Sequence, residues 1–392
     1  MRILLVHNTY QQKGGEDSVF ENEYQLLLKN NNMVGKLLFN NDAINSTFDK
    51  LKVGLNSIYN SNSSEILRNK IISFKPDIIH VHNFFPIASP SIFYVADELN
   101  IPIVMTLHNY RLICPNALLF RENEICEKCI NKDFAIDGVL NGCYRDSKVQ
   151  TFALAFMSYV HKKKKTWQTK VSKYIALTHF AKEKVLSSSL GLDANQIVVK
   201  PNFVEDFGFD YDKEDYFLFV GRLSVEKGIH LLLNAFKGSD KVLFIIGSGP
   251  LEEEVNRVAL SHPNIVYLGF KDKEFIIQKL QKARALVFSS IWYETFGMTI
   301  IESFSVGTPV IGANIGSPNE IIKNNHNGLI YKVNDLESLK EKIELMSNNE
   351  INYYKLCENA RLSYESNYTE EKNYQFMMDI YQKIIDEKTA YN

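Results

Sequence analysis

The chain lacks the features that would place it in a membrane or among general nucleic-acid binders. Its 392 residues contain no uninterrupted apolar run of about 18 residues, the length that a membrane-spanning helix requires. The apolar run within Met1 to Asn8 is too short for a signal peptide and predicts a first strand instead. The net charge of -2 argues against a nucleic-acid partner. We therefore expect a cytosolic protein.

The sequence also has few cysteines, and no internal repeat or low-complexity block. Four of the five cysteines fall in one stretch, at Cys114, Cys126, Cys129 and Cys143. In a reducing compartment, clustered cysteines are more often metal ligands than disulfides. One Cys-x2-Cys pair with two flanking cysteines suits a closed, tetrahedral structural zinc site. Free or partly disulfide-linked thiols stay open as the alternative.

What the sequence does contain is a regular alternation of short apolar runs with helical patterns. The length exceeds what one core usually supports, so two α/β domains are the default. The alternation predicts βαβ units and mostly parallel sheets. The predicted strands are Ile3–Val6, Asp77–Val81, Ile103–Leu107, Tyr174–Leu177, Ile197–Val199, Tyr216–Val220, Val242–Ile246, Ile265–Leu268, Ala285–Phe288, Val310–Ile311 and Leu329–Tyr331.

Turn residues followed by an acidic, weakly periodic stretch mark a domain boundary within Lys200 to Gly208. We predict a first domain over residues 1–205, with a cysteine-rich loop at 109–150, and a second over 206–369. The last segment, 370–392, is predicted to be a helix that returns to the first domain. Helical spacing predicts two buried faces. They are Phe20, Tyr24, Leu27 and Leu28 after the first strand, and Phe376, Ile380, Tyr381 and Ile384 in the last helix.

Two glutamates lie eight positions apart in the segment from Trp292 to Glu302, which follows a predicted strand. A helix is expected to begin near Phe296 or Gly297, and its N-terminus would favour a phosphate group. Glu294 could then accept hydrogen bonds from sugar hydroxyls, and Glu302 from a ribose diol. The alternative is two glutamates at an ordinary helix start.

A second polar segment, residues 221–228, has the sequence Gly-Arg-Leu-Ser-Val-Glu-Lys-Gly and follows another predicted strand. Arg222 offers planar bidentate donors and Lys227 a mobile point charge, so together they could neutralise a diphosphate. A solvated basic turn is the alternative. Both segments lie where open α/β sheets bind ligands, at the carboxyl ends of parallel strands.

Taken together, these segments resemble the motifs of the retaining glycosyltransferases of GT-B family four, also called glycosyl transferases group 1. Four further segments occur in the family's order and roughly its spacing. They are Gly247–Pro250, Gly307–Val310, Glu320–Ile322 and Asn327–Gly328. The resemblance covers essentially the whole chain and is strongest from about residue 200 to 335.

The resemblance implies a GT-B fold, in which two Rossmann-like domains with mostly parallel sheets face each other across a cleft. It also implies metal-independent transfer of a sugar with retention of anomeric configuration. Arg222 and Lys227 would bind the donor diphosphate, Glu294 the sugar and Glu302 the ribose, which makes the first three catalytic candidates. Further donor contacts would come from Gly249, Phe270 beside the base, Phe296, Gly297, Met298 and Thr299.

In the amino-terminal half, a Gly-Gly pair ends at Gly15, at a strand-to-helix turn where a backbone can approach a ligand. A simple tight turn is the alternative, but the resemblance places Gly15 beside the donor diphosphate and Glu16 on the acceptor side. His108 follows a predicted strand and matches the family's histidine that touches the donor sugar. His80 and His82 are second-rank candidates for substrate contact.

Lys162 to Lys165 form four consecutive lysines after a helical segment that contains Phe152, Phe156 and Tyr159. Such a segment could contact an anionic membrane at the inner face of the cell membrane. A solvated helix face is the alternative.

We therefore predict a retaining hexosyltransferase without a catalytic cofactor. A nucleotide-sugar donor, UDP-linked rather than GDP-linked, would give its sugar to a glycan or lipid-linked glycan in surface polysaccharide synthesis. One alternative is a nucleotide-sugar epimerase of the same fold, which the Arg-x4-Lys and Glu-x7-Glu pairs disfavour. The other is a non-catalytic nucleotide-sugar-binding scaffold, which the presence of all four catalytic candidates disfavours.

Overall fold

A computed structural model describes residues 1–9, 14–40, 57–348 and 352–390 of the chain. The chain divides into two compact units. Unit 1 comprises Met1–Leu119, Cys126–Lys200 and Tyr374–Asn392, and unit 2 comprises Phe120–Ile125 and Pro201–Asn373.

Unit 1 is built on a six-stranded parallel sheet with the order β2-β1-β3-β4-β7-β8. Its inner strands are mostly apolar and mostly buried, as is usual where helices cover both faces of such a sheet. The strands are β1 (Arg2–Thr9), β2 (Met33–Asn40), β3 (Ile78–Val81), β4 (Ile103–Leu107), β7 (Lys173–Ala176) and β8 (Ile197–Val199).

The helices of unit 1 follow the strands in alternation. They are α1 (Gly15–Lys29), α2 (Ser61–Phe74), α3 (Ser91–Glu98), α4 (Ile136–Leu140), α5 (Lys148–Lys163), α6 (Thr166–Thr169), α7 (His179–Leu186) and most of α15 (Glu370–Ala390).

Unit 2 has a second six-stranded parallel sheet with the order β11-β10-β9-β12-β13-β14. This is the doubly wound order 3-2-1-4-5-6, so the chain reverses direction across the sheet between β9 and β12, where such sheets bind ligands. The strands are β9 (Tyr216–Val220), β10 (Val242–Ile246), β11 (Ile265–Tyr267), β12 (Ala285–Phe288), β13 (Val310–Ala313) and β14 (Gly328–Tyr331).

In the described part of unit 2, seven α-helices accompany this sheet, and a short antiparallel hairpin, β5 (Phe120–Arg121) with β6 (Glu124–Ile125), is grouped with the unit. The helices are α8 (Ile229–Phe236), α9 (Glu252–Ser261), α10 (Lys273–Lys282), α11 (Met298–Ser305), α12 (Pro318–Ile321), α13 (Leu336–Ser347) and α14 (Tyr353–Asn367).

The predicted strands are confirmed to within two residues at each end, except that β1 extends three residues further, to Thr9. The strand β2 was not predicted, because Gly35 and Lys36 interrupt a half-exposed edge segment. Both predicted helices are confirmed, as α1 and α15, but neither apolar face is buried along its whole length. Leu28 and Phe376 are 39% and 44% exposed, whereas Glu23 is fully buried.

Candidate functional site in unit 2

The loops that follow β9 and β12 carry the charged residues singled out in the sequence. These two strands are neighbours in the sheet, so their loops emerge side by side at the same edge. The ammonium of Lys227 donates a hydrogen bond to Glu294 Oε1 at 2.5 Å. The structure therefore brings together two residues of the predicted site that belong to separate segments of the sequence.

The carboxylate of Glu294 is held in one orientation. Its Oε1 also accepts hydrogen bonds from Ser290 Oγ at 2.7 Å and from Trp292 Nε1 at 2.9 Å. The Lys227 ammonium lies 5.6 Å from the ring centroid of Trp292 and 5.8 Å from that of Phe288. Because Glu294 is only 8% exposed, this group of donors positions a carboxylate that is mostly withdrawn from water.

Glycines allow the neighbouring loops to touch through their backbones. A Cβ atom on Gly247 would lie 1.9 Å from the carbonyl oxygen of Gly221, and one on Gly249 would lie 2.5 Å from that of Leu223. A Cβ atom on Gly228 would lie 2.0 Å from the Ser289 carbonyl oxygen. These positions therefore exclude any side chain, and backbone contacts fix the Lys227 loop against both neighbours.

The helix α11 begins directly after the Glu294 loop. Gly297 precedes it with a φ of 127°, and no side chain caps the helix start among the described residues. The first backbone N–H groups of such a helix, at Met298 and Thr299, lack partners within the helix. Phe296, which precedes them, is buried with 3% exposure and anchors the loop.

The remaining candidates of unit 2 follow strands of the same parallel sheet. Arg222 is exposed in the loop after β9. Burial raises the pKa of Glu302 in α11, an effect that nearby Lys273 opposes. Phe270, after β11, is 77% exposed, so its ring is available for stacking.

Candidate residues in unit 1

In unit 1, polar residues after β1, β3 and β4 meet at one edge of the sheet. Glu16 accepts hydrogen bonds from Asn83 Nδ2 at 3.0 Å and from Asn109 Nδ2 at 3.2 Å. His108 Nε2 lies 3.0 Å from His82 Nδ1, within hydrogen-bonding distance. Burial lowers the pKa of His108 well below its ordinary value. His108 is therefore a neutral imidazole.

Gly15 is the first residue of α1. The helix start is capped by Asp17, which accepts a hydrogen bond from the Gly14 N–H at 2.7 Å and contacts His7 Nε2 at 2.8 Å. A Cβ atom on Gly15 would meet no atom within 4 Å among the described residues. Local packing therefore does not require glycine at this position.

Comparison with known proteins

Two family models match consecutive parts of the chain. Residues 52–206 match Glycosyltransferase Family 4, and residues 203–363 match Glycosyl transferases group 1. The chain belongs to the group 1 glycosyltransferases. Their GT-B fold, two α/β domains with mostly parallel sheets, is the architecture described above.

Individual relatives agree with this assignment. The O-antigen chain mannosyltransferase C of Escherichia coli is 31% identical over 180 residues, 45% of this chain and 48% of the relative. The matched part therefore spans about half of that curated relative. An uncharacterized glycosyltransferase of Methanocaldococcus jannaschii is 25% identical over 330 residues, 84% of this chain and 81% of the relative. Among solved structures, Anabaena HepE in complex with UDP has a TM-score of 0.68 at 14% identity, over 98% of this chain and 100% of HepE.

Metal, thiol and membrane candidates

One group of three potential metal ligands occurs among the described residues of this group 1 glycosyltransferase. Glu23, His80 and His82 are buried, and their ligand atoms lie within 4.8 Å of one another. However, Lys200 Nζ lies 2.8 Å from Glu23 Oε1, and His80 already bonds Tyr381 Oη and Thr106 Oγ1 through its two ring nitrogens. A cation is thus already present, so we interpret the group as a buried ion pair.

None of the four clustered cysteines forms a disulfide among the described residues, and no three of their sulfur atoms lie within 4.8 Å of one another. Cys114 Sγ donates to Asn116 Oδ1 at 2.9 Å, and burial raises the pKa of this thiol to about 11. The described thiols therefore do not form an assembled tetrahedral site. Structural zinc stays a prediction, which metal analysis of protein purified without added zinc would test.

The basic segment requires a correction. Lys162 is buried, and its ammonium donates to the Lys132 carbonyl at 3.1 Å and to Ser189 Oγ at 2.8 Å. Only Lys163, Lys164 and Lys165 are exposed. Within the described residues, no helix has the length and apolar character needed to cross a membrane.

Proposed function

We propose that this glycosyltransferase moves a hexose-type sugar from a nucleotide diphosphate sugar to a glycan or glycolipid acceptor, with retention of anomeric configuration. The contact between Lys227 and Glu294 carries the proposal. A cation suited to a diphosphate lies beside a carboxylate suited to sugar hydroxyls, at the edge of a doubly wound sheet where ligands usually bind, and this supports the proposal. A donor with a sugar joined to a diphosphate presents these two chemical features side by side.

In this proposal the leaving diphosphate is stabilised by positive charge fixed before the reaction begins. Lys227 and Arg222 provide side-chain cations, and the backbone N–H groups at the start of α11 provide further donors. Preorganised donors of this kind are usually the largest contribution to transition-state stabilisation. Glu294 orients the sugar, and Glu302 accepts hydrogen bonds from the ribose.

We infer a front-face displacement for the chemical step. The bond between the anomeric carbon and the diphosphate oxygen breaks, and the acceptor oxygen bonds to the same face of the sugar. The acceptor proton passes to the departing phosphate oxygen, so no protein base is required. Glu294 is unsuited to be a covalent nucleophile, since one of its oxygens already accepts three hydrogen bonds.

The residues of unit 1 that the family resemblance selects would serve the same reaction. His108 is neutral and can hydrogen-bond a sugar hydroxyl without adding charge. Among the described residues, no atom lies within 4 Å of a Cβ position on Gly15, so a diphosphate could approach this backbone at the start of α1.

A UDP-linked donor is favoured over a GDP-linked one. Support comes from the fold of HepE, whose structure was solved with UDP. The E. coli relative, named as an O-antigen chain mannosyltransferase, supports an acceptor in surface polysaccharide synthesis. The sugar and the base are therefore the first properties to measure.

A thermal-shift panel of UDP- and GDP-sugars tests the proposal directly, because a ligand that binds only the folded protein raises its Tm. We expect stabilisation by one nucleotide sugar and slow release of its sugar to water. An epimerase would convert the donor sugar without an acceptor, and a binding scaffold would leave the donor intact. Absence of stabilisation by every nucleotide sugar would refute the proposal.

We also propose that unit 1 contacts an anionic membrane surface through α5. Val149, Phe152 and Phe156 are 69%, 50% and 40% exposed, and they share one helix face with Lys163. Exposed aromatic rings followed by lysines suit a lipid surface, where each lysine contributes about 1 kcal/mol. Phe152→Ser with Phe156→Ser should abolish co-sedimentation with anionic vesicles. Equal binding of this variant and wild type would exclude the α5 surface as the contact.

A further inference from the structure

A buried chain of polar side chains leads to His108 from the interior of unit 1. It consists of Lys200, Glu23, His82 and His108, which we call the buried polar chain. Lys200 donates to Glu23 Oε1 at 2.8 Å, Glu23 Oε2 lies 3.4 Å from His82 Nε2, and His82 Nδ1 lies 3.0 Å from His108 Nε2. Lys200 and Glu23 are fully buried and His82 is 2% exposed.

The charge of Glu23 is defined by its surroundings. Burial alone would raise the pKa of this carboxyl, but the ammonium of Lys200 and the ring of His82 outweigh burial and hold the pKa well below its ordinary value. Glu23 is therefore an ionised carboxylate, which can only accept hydrogen bonds. Since Lys200 balances its charge, the buried imidazole of His82 needs no second positive charge.

An ionised carboxylate determines which nitrogen of His82 carries the proton. Neither Glu23 Oε2 nor His82 Nε2 has another hydrogen-bond partner among the described residues, and each is buried. A proton on His82 Nε2 satisfies both atoms, because it points at the carboxylate. In a neutral imidazole, the other nitrogen, Nδ1, must then be an acceptor.

The acceptor at His82 Nδ1 also determines which ring nitrogen of His108 carries the proton. The hydrogen bond between His82 Nδ1 and His108 Nε2 needs a single proton, and an acceptor at His82 Nδ1 assigns it to His108 Nε2. Because His108 is neutral, its Nδ1 is then unprotonated. His80, which bonds Tyr381 and Thr106, packs with its ring centroid 4.3 Å from that of His82 and limits its movement.

We propose that Glu23 is a positioning residue that, with Lys200, fixes His82 and thereby His108 in the Nε2–H tautomer. In this tautomer Nδ1 of His108 is an acceptor, so a substrate hydroxyl that reaches this atom would donate the hydrogen bond. Carboxylates that accept a hydrogen bond from a metal-bound histidine act in the same way, by fixing the tautomer and the orientation of the ring. The inference rests on the proposed function for the identity of the substrate, but the tautomer itself does not.

Two-bond 1H–15N NMR of protein labelled with 15N-histidine tests the tautomer in the absence of substrate. The nine histidines give separate ring patterns, and His108→Asn and His82→Asn identify two of them by loss of signal. We expect wild-type His108 and His82 to be protonated at Nε2 and unprotonated at Nδ1. Protonation of His108 at Nδ1 would overturn the proposal without any variant.

Glu23→Gln then separates the effect of Glu23 on the histidine tautomers from its effect on packing. Glutamine keeps the shape of the glutamate side chain, but its amide can donate a hydrogen bond to His82 Nε2 as well as accept one. We expect mixed or reversed tautomers at both histidines, a kcat lower by about tenfold, and a KM within about threefold of wild type. Glu21→Gln, at an exposed position of the same helix, is the matched control and should leave all three measurements unchanged.

The two proposals fail in different ways. A Glu23→Gln protein that keeps the wild-type tautomers would overturn the positioning role of Glu23. A wild-type protein with the expected tautomers but without transferase activity towards any nucleotide sugar would instead overturn the proposed reaction.

Discussion

The ammonium of Lys227 contacts the carboxylate of Glu294 at 2.5 Å, although 67 residues separate them in the sequence. The adjacency of β9 and β12 produces this contact, and the donors from Ser290 and Trp292 fix its geometry. If the pair forms the donor site, Lys227 and Glu294 must each exchange their mutual contact for a contact with a substrate group during binding.

Lys227→Met keeps the aliphatic stem of the lysine and removes its charge. We expect kcat to fall by about 10²–10³, since a preorganised donor to the leaving diphosphate is lost. Arg222→Ala should also lower kcat strongly while leaving Tm unchanged, because its side chain is exposed. Steady-state kinetics with the donor identified by thermal shift measures both effects.

Lys237→Met is the control and should leave kcat unchanged, because this exposed lysine of the same unit donates to Asn234 Oδ1, at 3.1 Å. Activity near that of wild type in Lys227→Met and Arg222→Ala would exclude them from the reaction.

Gly15→Ala separates a requirement of the fold from a requirement of the substrate. A methyl group at this position meets no atom of the described residues within 4 Å, and alanine restricts the unfolded chain, so Tm should stay constant or rise. If the donor diphosphate approaches this backbone, kcat/KM should nevertheless fall, by about tenfold. Thermal unfolding and initial rates, compared with Ser18→Ala in the same helix, measure the two properties. Unchanged kcat/KM would show that no ligand approaches Gly15 closely.

Glu302→Gln should make the protein more stable and bind nucleotide less well. Burial raises the pKa of Glu302, so its ionised form at neutral pH is unfavourable in the folded protein. Removing that charge should stabilise the ligand-free protein by about 1 kcal/mol, or roughly 2–4 °C in Tm. The stabilisation by UDP should decrease, since a neutral amide is a weaker acceptor for ribose hydroxyls. A larger UDP-induced shift in the variant would contradict the ribose role.

Stability should decrease as the pH falls below about 6.5, before most carboxylates titrate. Burial lowers the pKa values of His80 and His108 well below the ordinary 6.5. The unfolded chain therefore binds protons in this range that the folded protein does not, and each histidine contributes a slope of at most about 1.4 kcal/mol per pH unit. Urea midpoints at pH 7.5 and 5.5 measure the loss.

His80→Gln should reduce this pH dependence, although it also lowers stability at every pH. His326→Gln, at an exposed position, should leave the pH dependence as in wild type. A urea midpoint that is constant between the two pH values would contradict neutral, buried histidines.

The sequence predicts the parallel sheets and the residues of the unit 2 site because both depend on local patterns. Apolar runs define the strands, and glycine and charged residues directly after a strand must lie at the sheet edge. Lys227 and Glu294 follow such runs, so their proximity requires only the correct strand order. The strand β2 lacks an apolar run, and only its partner β1 makes it a strand.

The buried polar chain could not be predicted from the sequence in this way. Glu23 lies three residues after Phe20 on α1, where an acidic residue normally predicts a solvent-exposed position. Its burial depends on Lys200, which is 177 residues away. Similarly, four consecutive lysines look equivalent, but the acceptors at Lys132 and Ser189 select Lys162 alone for burial. In each case a distant partner overrides the local pattern.

The hydroxyl of Tyr381 bonds His80 across 301 residues of sequence, and Met377, Tyr381 and Ile384 are buried in unit 1. During synthesis on the ribosome, unit 1 therefore cannot complete the packing of its interior until almost the entire polypeptide has been made. Unit 2 is free to fold first, the reverse of the usual vectorial order. Truncation of the chain before Tyr381 would thus destabilise unit 1, most of which is synthesised first.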